Sequence, residues 1–306
     1  MYPAKFDYHR ANTVHEAISL LQEHEDAKVL AGGHSLLPAM KLRLAHPTAV
    51  IDIGRISELK SISQSNKTIT IGALSTHAEI ASNELLRDHC TVIAEAASNV
   101  GDQQVRNKGT IGGNLAHADP GSDLPAAVLA VGGIIHLSGP GGDRQVNASD
   151  FFVDLLMTNL GEHEILTAVE VPVLGDRTGS AYLKFANPAS GYAVCGAAAV
   201  VTLTEDGQAF ESSSLCFNGV TATPYQASHV SDWLETDDLL DKIGNIVAKI
   251  IAGSAVSDEV IDFVVDHRLT IDDPLGDIHA AGPYRAELAK VFGKRTLKAA
   301  RDRAQN

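Results

Sequence analysis

Two short glycine-rich segments carry the clearest chemistry in this sequence: Ala31-Gly-Gly-His-Ser35 and Thr110-Ile-Gly-Gly-Asn114. Consecutive residues without a Cβ let a ligand approach the main chain closely. Glycine also reaches backbone conformations that turn successive N–H groups to one side. A pyrophosphate suits such a surface, above all beside a helix N-terminus, whose partial charge favours an anion. Neither segment follows the GxGxxG pattern of the ordinary dinucleotide fold, and no GxxxxGK[ST] is present. One such loop is as often a structural turn as a binding one. Two of them, about 80 residues apart, point to one extended phosphate-containing ligand held from both sides.

Other reactive residues exclude more than they suggest. Cys90, Cys195 and Cys216 lie far apart with no CxxC, so the chain carries no iron–sulfur or zinc-ribbon framework of its own. The 13 histidines are scattered and form no HExxH. His34, His117 and Asp119 lie in or beside the glycine segments, where loop-stabilising or ligand-facing roles fit better than metal ligation. With 24 Lys and Arg against 38 Asp and Glu, the net charge of −14 argues against a nucleic-acid or anionic-membrane surface. The 306 residues, 44% of them apolar, leave room for two or three domains with real cores and exclude a disordered chain. The N-terminus lacks an apolar signal region. The longest apolar run, Leu124 to Leu137, is broken by Pro125, two glycines and His136 and is too short to span a bilayer. A cytoplasmic protein with no membrane span is expected.

The elements that must position the loops follow from periodicity. The first 55 residues read as α–β–α–β. Thr13 and Glu16 make a capping box ahead of an apolar stripe of Val14, Ala17, Ile18 and Leu21. Lys28–Ala31 is a short strand, Ser35 caps a helix through Leu44, and Thr48–Ile53 is a second strand, with a parallel crossover between the two strands. From Ile56 to about Pro172 the pattern predicts a strand at Thr68–Gly72, a helix capped by Thr76 and another over Val92–Val100. A long ordered loop over Gly101–Ser122, a helix over Leu124–Val131 capped by Asp123, a hairpin turning at Ser138–Gly142 and a strand over Ile165–Val171 complete it. Beyond Gly179, strands Ala181–Phe185, Tyr192–Thr204 and Gln208–Asn218 form a meander. Helices Asp232–Leu240, Ile243–Ala252, Glu259–His267 and a basic Tyr284–Ala304 follow. The basic helix is expected to be a solvated face, with a partner-docking face as the alternative.

At this level the sequence resembles a known family. Ala31-Gly-Gly-His-Ser-Leu-Leu-Pro-Ala-Met-Lys-Leu-Arg43 and Gly109-Thr-Ile-Gly-Gly-Asn-Leu-Ala-His-Ala-Asp-Pro120 are similar to the two flavin-binding motifs of the FAD-carrying medium subunit of molybdenum hydroxylases, the xanthine dehydrogenase and aerobic carbon monoxide dehydrogenase group. The resemblance runs nearly end to end, through Phe6–Arg10, Ser122–Pro125, Lys184-Phe185, Gly191–Ala193 and Tyr284-Arg285. It departs at Asp102-Gln-Gln104, where the family usually has Asp-Pro-Gln, and in the looser Ile271–Pro283 segment.

The resemblance implies an α+β architecture. A PCMH-type FAD-binding domain over residues 1–175, itself two α/β subdomains (about 1–55 and 56–175), would precede a C-terminal domain of antiparallel sheet plus helices over 176–306. It implies that the backbone amides of Ala31, Gly32, Gly33, His34 and Ser35 and of Thr110, Ile111, Gly112, Gly113 and Asn114 bind the pyrophosphate and ribityl region of FAD. Asp123 would lie near the flavin, Leu166 and Lys184 would line it, and Tyr192 would lie against the isoalloxazine. Each of these four has a plainer reading from sequence: Asp123 as a helix cap, Tyr192 and Leu166 as core, Lys184 as a surface charge. No residue of this chain is implied to be catalytic, and none to hold a metal. The implied activity is electron transfer within an oxidoreductase. A large partner would hold the molybdopterin cofactor and a small one two [2Fe–2S] clusters. The complex would form a dimer of heterotrimers and pass electrons through FAD to an external acceptor. A self-contained FAD oxidoreductase and a flavin-free assembly module are the alternatives. The substrate, carbon monoxide, purine, N-heterocycle or aldehyde, is not written in this chain.

Overall fold

A computed structural model describes residues 1–227 and 256–306; the helices predicted over 232–240 and 243–252 lie outside them. Three hydrophobic cores are stacked along the chain. The first surrounds a three-stranded parallel sheet in which Ala49–Asp52 is central, flanked by Asp7–Arg10 and Lys28–Leu30. Helix Val14–Glu23 covers it, burying Ala17 and Leu21 beside Ile51 and Ile53. Thr13 accepts the Glu16 amide as predicted, whereas the Glu16 carboxylate turns back to the Asn12 amide (2.7 Å). The α–β–α–β reading lacks the edge strand Asp7–Arg10. Three of that strand's four residues are exposed, so no period-2 signal marks it.

The central layer is a five-stranded antiparallel sheet. Its middle strand Ile165–Pro172 lies between Thr68–Gly72 and Ile134–Gly139, with Ile62–Ser65 and Gly142–Asn147 at the edges. Helices His77–Ser82, Glu84–His89, Thr91–Asn99 and Asp123–Ala130 pack on it and supply much of this core. Every residue of Asp123–Ala130 is buried, which fits its lack of polar alternation.

The third layer is the meander: Thr178–Ala186, Ala193–Leu203 and Phe210–Asn218 pair antiparallel, with Tyr225–Gln226 at the edge. Period 2 sends Tyr182, Ala198 and Cys216 into the central core, and Ala181, Ala199 and Leu215 into a third core under the final helix Gly282–Ala304. The sheet is thus covered on both faces. Each Ile, Leu or Phe fully buried in these cores contributes about 1.5–3 kcal/mol.

The basic final helix is not a bare solvated face. Lys294 pairs with Asp266 (2.8 Å), Lys298 with Asp262 (2.7 Å) and Arg301 with Asp258 (2.8 Å), all on helix Asp258–Arg268. Arg303 reaches Glu95 of the central layer (2.6 Å).

Candidate functional site

The first glycine segment joins strand Lys28–Leu30 to helix Leu36–Lys41. Gly33 has φ +73°, a left-handed conformation that a Cβ disfavours. Among the described residues the amides of Gly32, Gly33, His34 and Ser35 have no hydrogen-bond acceptor. A main chain that leaves four consecutive N–H groups unpaired presents a ready anion cradle. His34 folds Nδ1 back to the Gly32 carbonyl (3.1 Å), a contact in which Nδ1 donates. The helix ends at Lys41 rather than Leu44, because Arg43 turns left-handed, and Ser35 caps it without a side-chain bond.

The second segment differs from the expected loop. Two short helices, Gln103–Arg106 and Ile111–His117, interrupt Gly101–Ser122; their caps Asp102 and Thr110 accept the Val105 and Gly113 amides. The glycines that read as loop are helical because Gly112 packs flush on Ala73, where a side chain would not fit. A string of free amides over Thr110–Asn114 is therefore corrected: Ile111 donates to Ser75, Gly112 to Ala73, Gly113 to Thr110 Oγ1 and Asn114 to the Thr110 carbonyl. What the segment offers outward is the exposed Cα of Gly113 and the half-buried Asn114, whose Oδ1 accepts from Ser122 (2.7 Å).

The two segments meet. Gly32 packs so tightly on the Lys108 carbonyl that any Cβ there would overlap it, and a Cβ on Gly113 would stand 3.8 Å from that of Ala31. His77 seals the junction from behind. Its ring lies against Gly109, its Nδ1 has no partner among the described residues, and burial, with smaller effects from His34 and Arg106, lowers its pKa to about 4.

Asp123 does not cap its helix; Ser122 holds the N-cap position, and Asp123 is buried at the first turn. Both its oxygens face Lys184 Nζ (2.9 and 3.0 Å), and Tyr182 donates to it at 2.6 Å. Burial raises the Asp123 pKa, and the Lys184 charge opposes that rise. Lys184 also donates to the Asn99 and Gly191 carbonyls (2.6 and 2.8 Å), so all three ammonium donors are used. The Asn218 side-chain amide lies 3.1 Å from the Tyr182 hydroxyl. The atom at that distance is Asn218 Oδ1, so the single phenol proton faces two acceptor oxygens, with Asp123 the nearer. Tyr182 and Asn218 had no spacing signal, although Tyr182 shares a strand face with Lys184.

Tyr192 stands apart from this network at 47% exposure, beside Gly121. Burial of its other half, followed by Asp119 and Asp123, raises its pKa. Leu166 is a core residue at 5% exposure, next to a bulge in the central strand. A cleft of about 880 Å³ lies elsewhere, lined by Ser82, Arg87, Glu95 and Arg106 and by no residue of either glycine segment.

Fold and loops together define a protein with a run of open main-chain amides, a surface of the kind that suits an anionic ligand. Residues 4–174 match the family described as the FAD binding domain in molybdopterin dehydrogenase. The chain is 36% identical to the carbon monoxide dehydrogenase medium chain of Hydrogenophaga pseudoflava, covering 98% of each. It is 33% identical to the glyceraldehyde dehydrogenase medium chain of Sulfolobus acidocaldarius, covering 97% of this chain and 99% of that one. The structure of the Hydrogenophaga pseudoflava carbon monoxide dehydrogenase that lacks the Mo-pyranopterin moiety superposes with a TM-score of 0.88 over 99% of both chains. The chain belongs to the FAD-carrying medium subunits of the molybdenum hydroxylases, a family of oxidoreductase subunits. Among the described residues no helix is long and apolar enough to cross a membrane.

Proposed function

We propose that the Ala31–Ser35 segment holds the pyrophosphate of FAD through its Gly32–Ser35 amides, with the outer face of Thr110–Asn114 as the opposite wall. The observation that carries this reading is the run of four unpaired amides around a left-handed Gly33, open to a ligand and facing the second glycine segment. A diphosphate needs such donors, and Gly32 and Gly33 leave the approach to two of them free of any Cβ, so the residues present fit the group. Asp123, Leu166 and Lys184 would form the floor beneath the ring system and Tyr192 its exposed side. When bound, the flavin supplies the redox chemistry, taking up electrons one at a time and releasing them to an acceptor. The protein's own contribution is to orient and to cover: open amides for the anion, a buried ion pair beneath, an aromatic ring at the rim.

The wider reading is that this chain works with a large molybdopterin-bearing partner and a small partner bearing [2Fe–2S] clusters, in a dimer of heterotrimers in the cytoplasm that passes electrons to an external acceptor. Its own cysteines are single and buried, and among the described residues no His, Cys, Asp and Glu cluster could hold a metal. We place the domain divide near residue 175, where the central sheet ends and the meander begins. Purification from its host should bring down two further polypeptides, with flavin and iron–sulfur absorbance in the complex. A chain that purifies alone and oxidises substrate with FAD as its sole cofactor would overturn this.

A further inference from the structure

We infer that Lys184 and Arg285 are positioning residues for Tyr192, two buried cations that grip the main chain on either side of it. The inference rests on the placement of Tyr192 at the flavin argued above. The turn before Tyr192 is bonded at every step. Asn187 Oδ1 accepts the Ala189 and Ser190 amides (2.9 and 3.3 Å), and the Asn187 carbonyl accepts the Gly191 amide (2.9 Å). The Tyr192 carbonyl accepts the Asn187 amide (2.7 Å), and Gly191 takes φ +74° to close the turn. On the far side the Ala193 amide donates to Gly121 (3.1 Å). The phenol is the part of Tyr192 left unfixed by this web.

Two charged donors then hold the ends. Lys184 donates to the Gly191 carbonyl (2.8 Å), and Arg285 donates through one guanidinium nitrogen to the Val194 carbonyl (2.8 Å) and the Gly219 carbonyl (2.6 Å). Hydrogen bonds from ionised donors are about twice as strong as neutral ones. These fix carbonyls three residues apart, with Tyr192 between them. Gly219 in turn donates to the Pro120 carbonyl (2.7 Å), so Arg285 also ties down the stretch after the second glycine segment. Arg285 is buried, and its one carboxylate partner among the described residues is the half-exposed Asp277 (2.6 Å), from the segment ahead of the final helix. A buried arginine whose acceptors are mainly carbonyls locates backbone.

The test is a double-mutant comparison on the assembled complex, freed of flavin and titrated with FAD, with flavin circular dichroism and the dissociation constant as readouts. Tyr192→Ala should weaken FAD by about fivefold, the worth of one aromatic contact. Arg285→Lys should weaken it by about two- to fivefold and shift the flavin dichroism when Tyr192 is present, and do neither in the Tyr192→Ala background. Equal effects in both backgrounds would overturn the inference, because a general packing defect does not depend on Tyr192. Should Arg285→Lys fail to assemble, Asp277→Asn, which loosens the same guanidinium from a half-exposed site, carries the comparison with the same two outcomes. A Tyr192→Ala complex with unchanged affinity and dichroism would overturn the placement of Tyr192 itself, a result separate from additivity.

Discussion

Gly113→Ala should separate folding from cofactor binding. Gly113 lies inside helix Ile111–His117 with ordinary helical geometry, not in a left-handed turn. Replacing a helical glycine by alanine gains about 0.8–1 kcal/mol. The new methyl would stand 3.0 Å from Thr110 Oγ1, the atom that caps this helix, and 3.8 Å from the Ala31 methyl. The first contact needs a shift of a few tenths of an ångström and returns part of the gain; the second is ordinary packing. Net stability should therefore be unchanged or raised by up to about 1 kcal/mol, read as melting temperature without FAD. The methyl nevertheless occupies the outward face where a ligand would meet the main chain. FAD affinity of the complex should fall at least about tenfold, the equivalent of about 1.4 kcal/mol, measured by titrating FAD into the deflavo complex. A variant that melts as wild type and binds FAD as wild type would refute the placement of this glycine in the cradle.

Lys184→Met leaves Asp123 charged and buried and should cost about 3–5 kcal/mol in denaturant melts, most of it recovered when Asp123→Asn is added. His77 is neutral when folded: its folded pKa of about 4 lies below the ordinary 6.5, so between those values the unfolded chain binds the proton that the native one refuses. Stability should be full above about pH 6.5 and fall by about 3 kcal/mol as pH drops to about 4; urea melts of His77→Gln should show a flatter profile. Gly179→Ala would drive a methyl into the Ala300 carbonyl and should lower stability by about 1–3 kcal/mol while leaving the glycine segments intact, visible as unchanged flavin dichroism at reduced melting temperature.

Where one periodicity governs, the sequence was readable. The meander, the central strands and the final helix all appear within a few residues of their predicted places, because alternating or 3.6-period burial marks them. The glycine segments stood out by composition, as two Gly-Gly pairs beside helix starts. Their local geometry was not legible. The helix at Ile111–His117 is set by Gly112 lying against Ala73 and Ile111 bonding Ser75, contacts some 40 residues distant that no local pattern announces. The Asp123–Lys184–Tyr182 network was hidden similarly, since the pairing depends on which face of the meander meets which helix. Asp7–Arg10 escaped because it is an exposed edge.

The contact between Gly32 and the Lys108 carbonyl makes the two walls of the cradle one mechanical unit. The first wall belongs to the parallel sheet and the second to the central layer, and with no side chain between them neither can move inward alone. Admission and release of a long cofactor between them would then be expected to break this contact, with the small N-terminal layer tilting away as a body rather than a single loop flapping. The rate of exchange should consequently track the stability of residues well outside the cradle, such as the Ala17 and Ile51 core that makes that layer stiff.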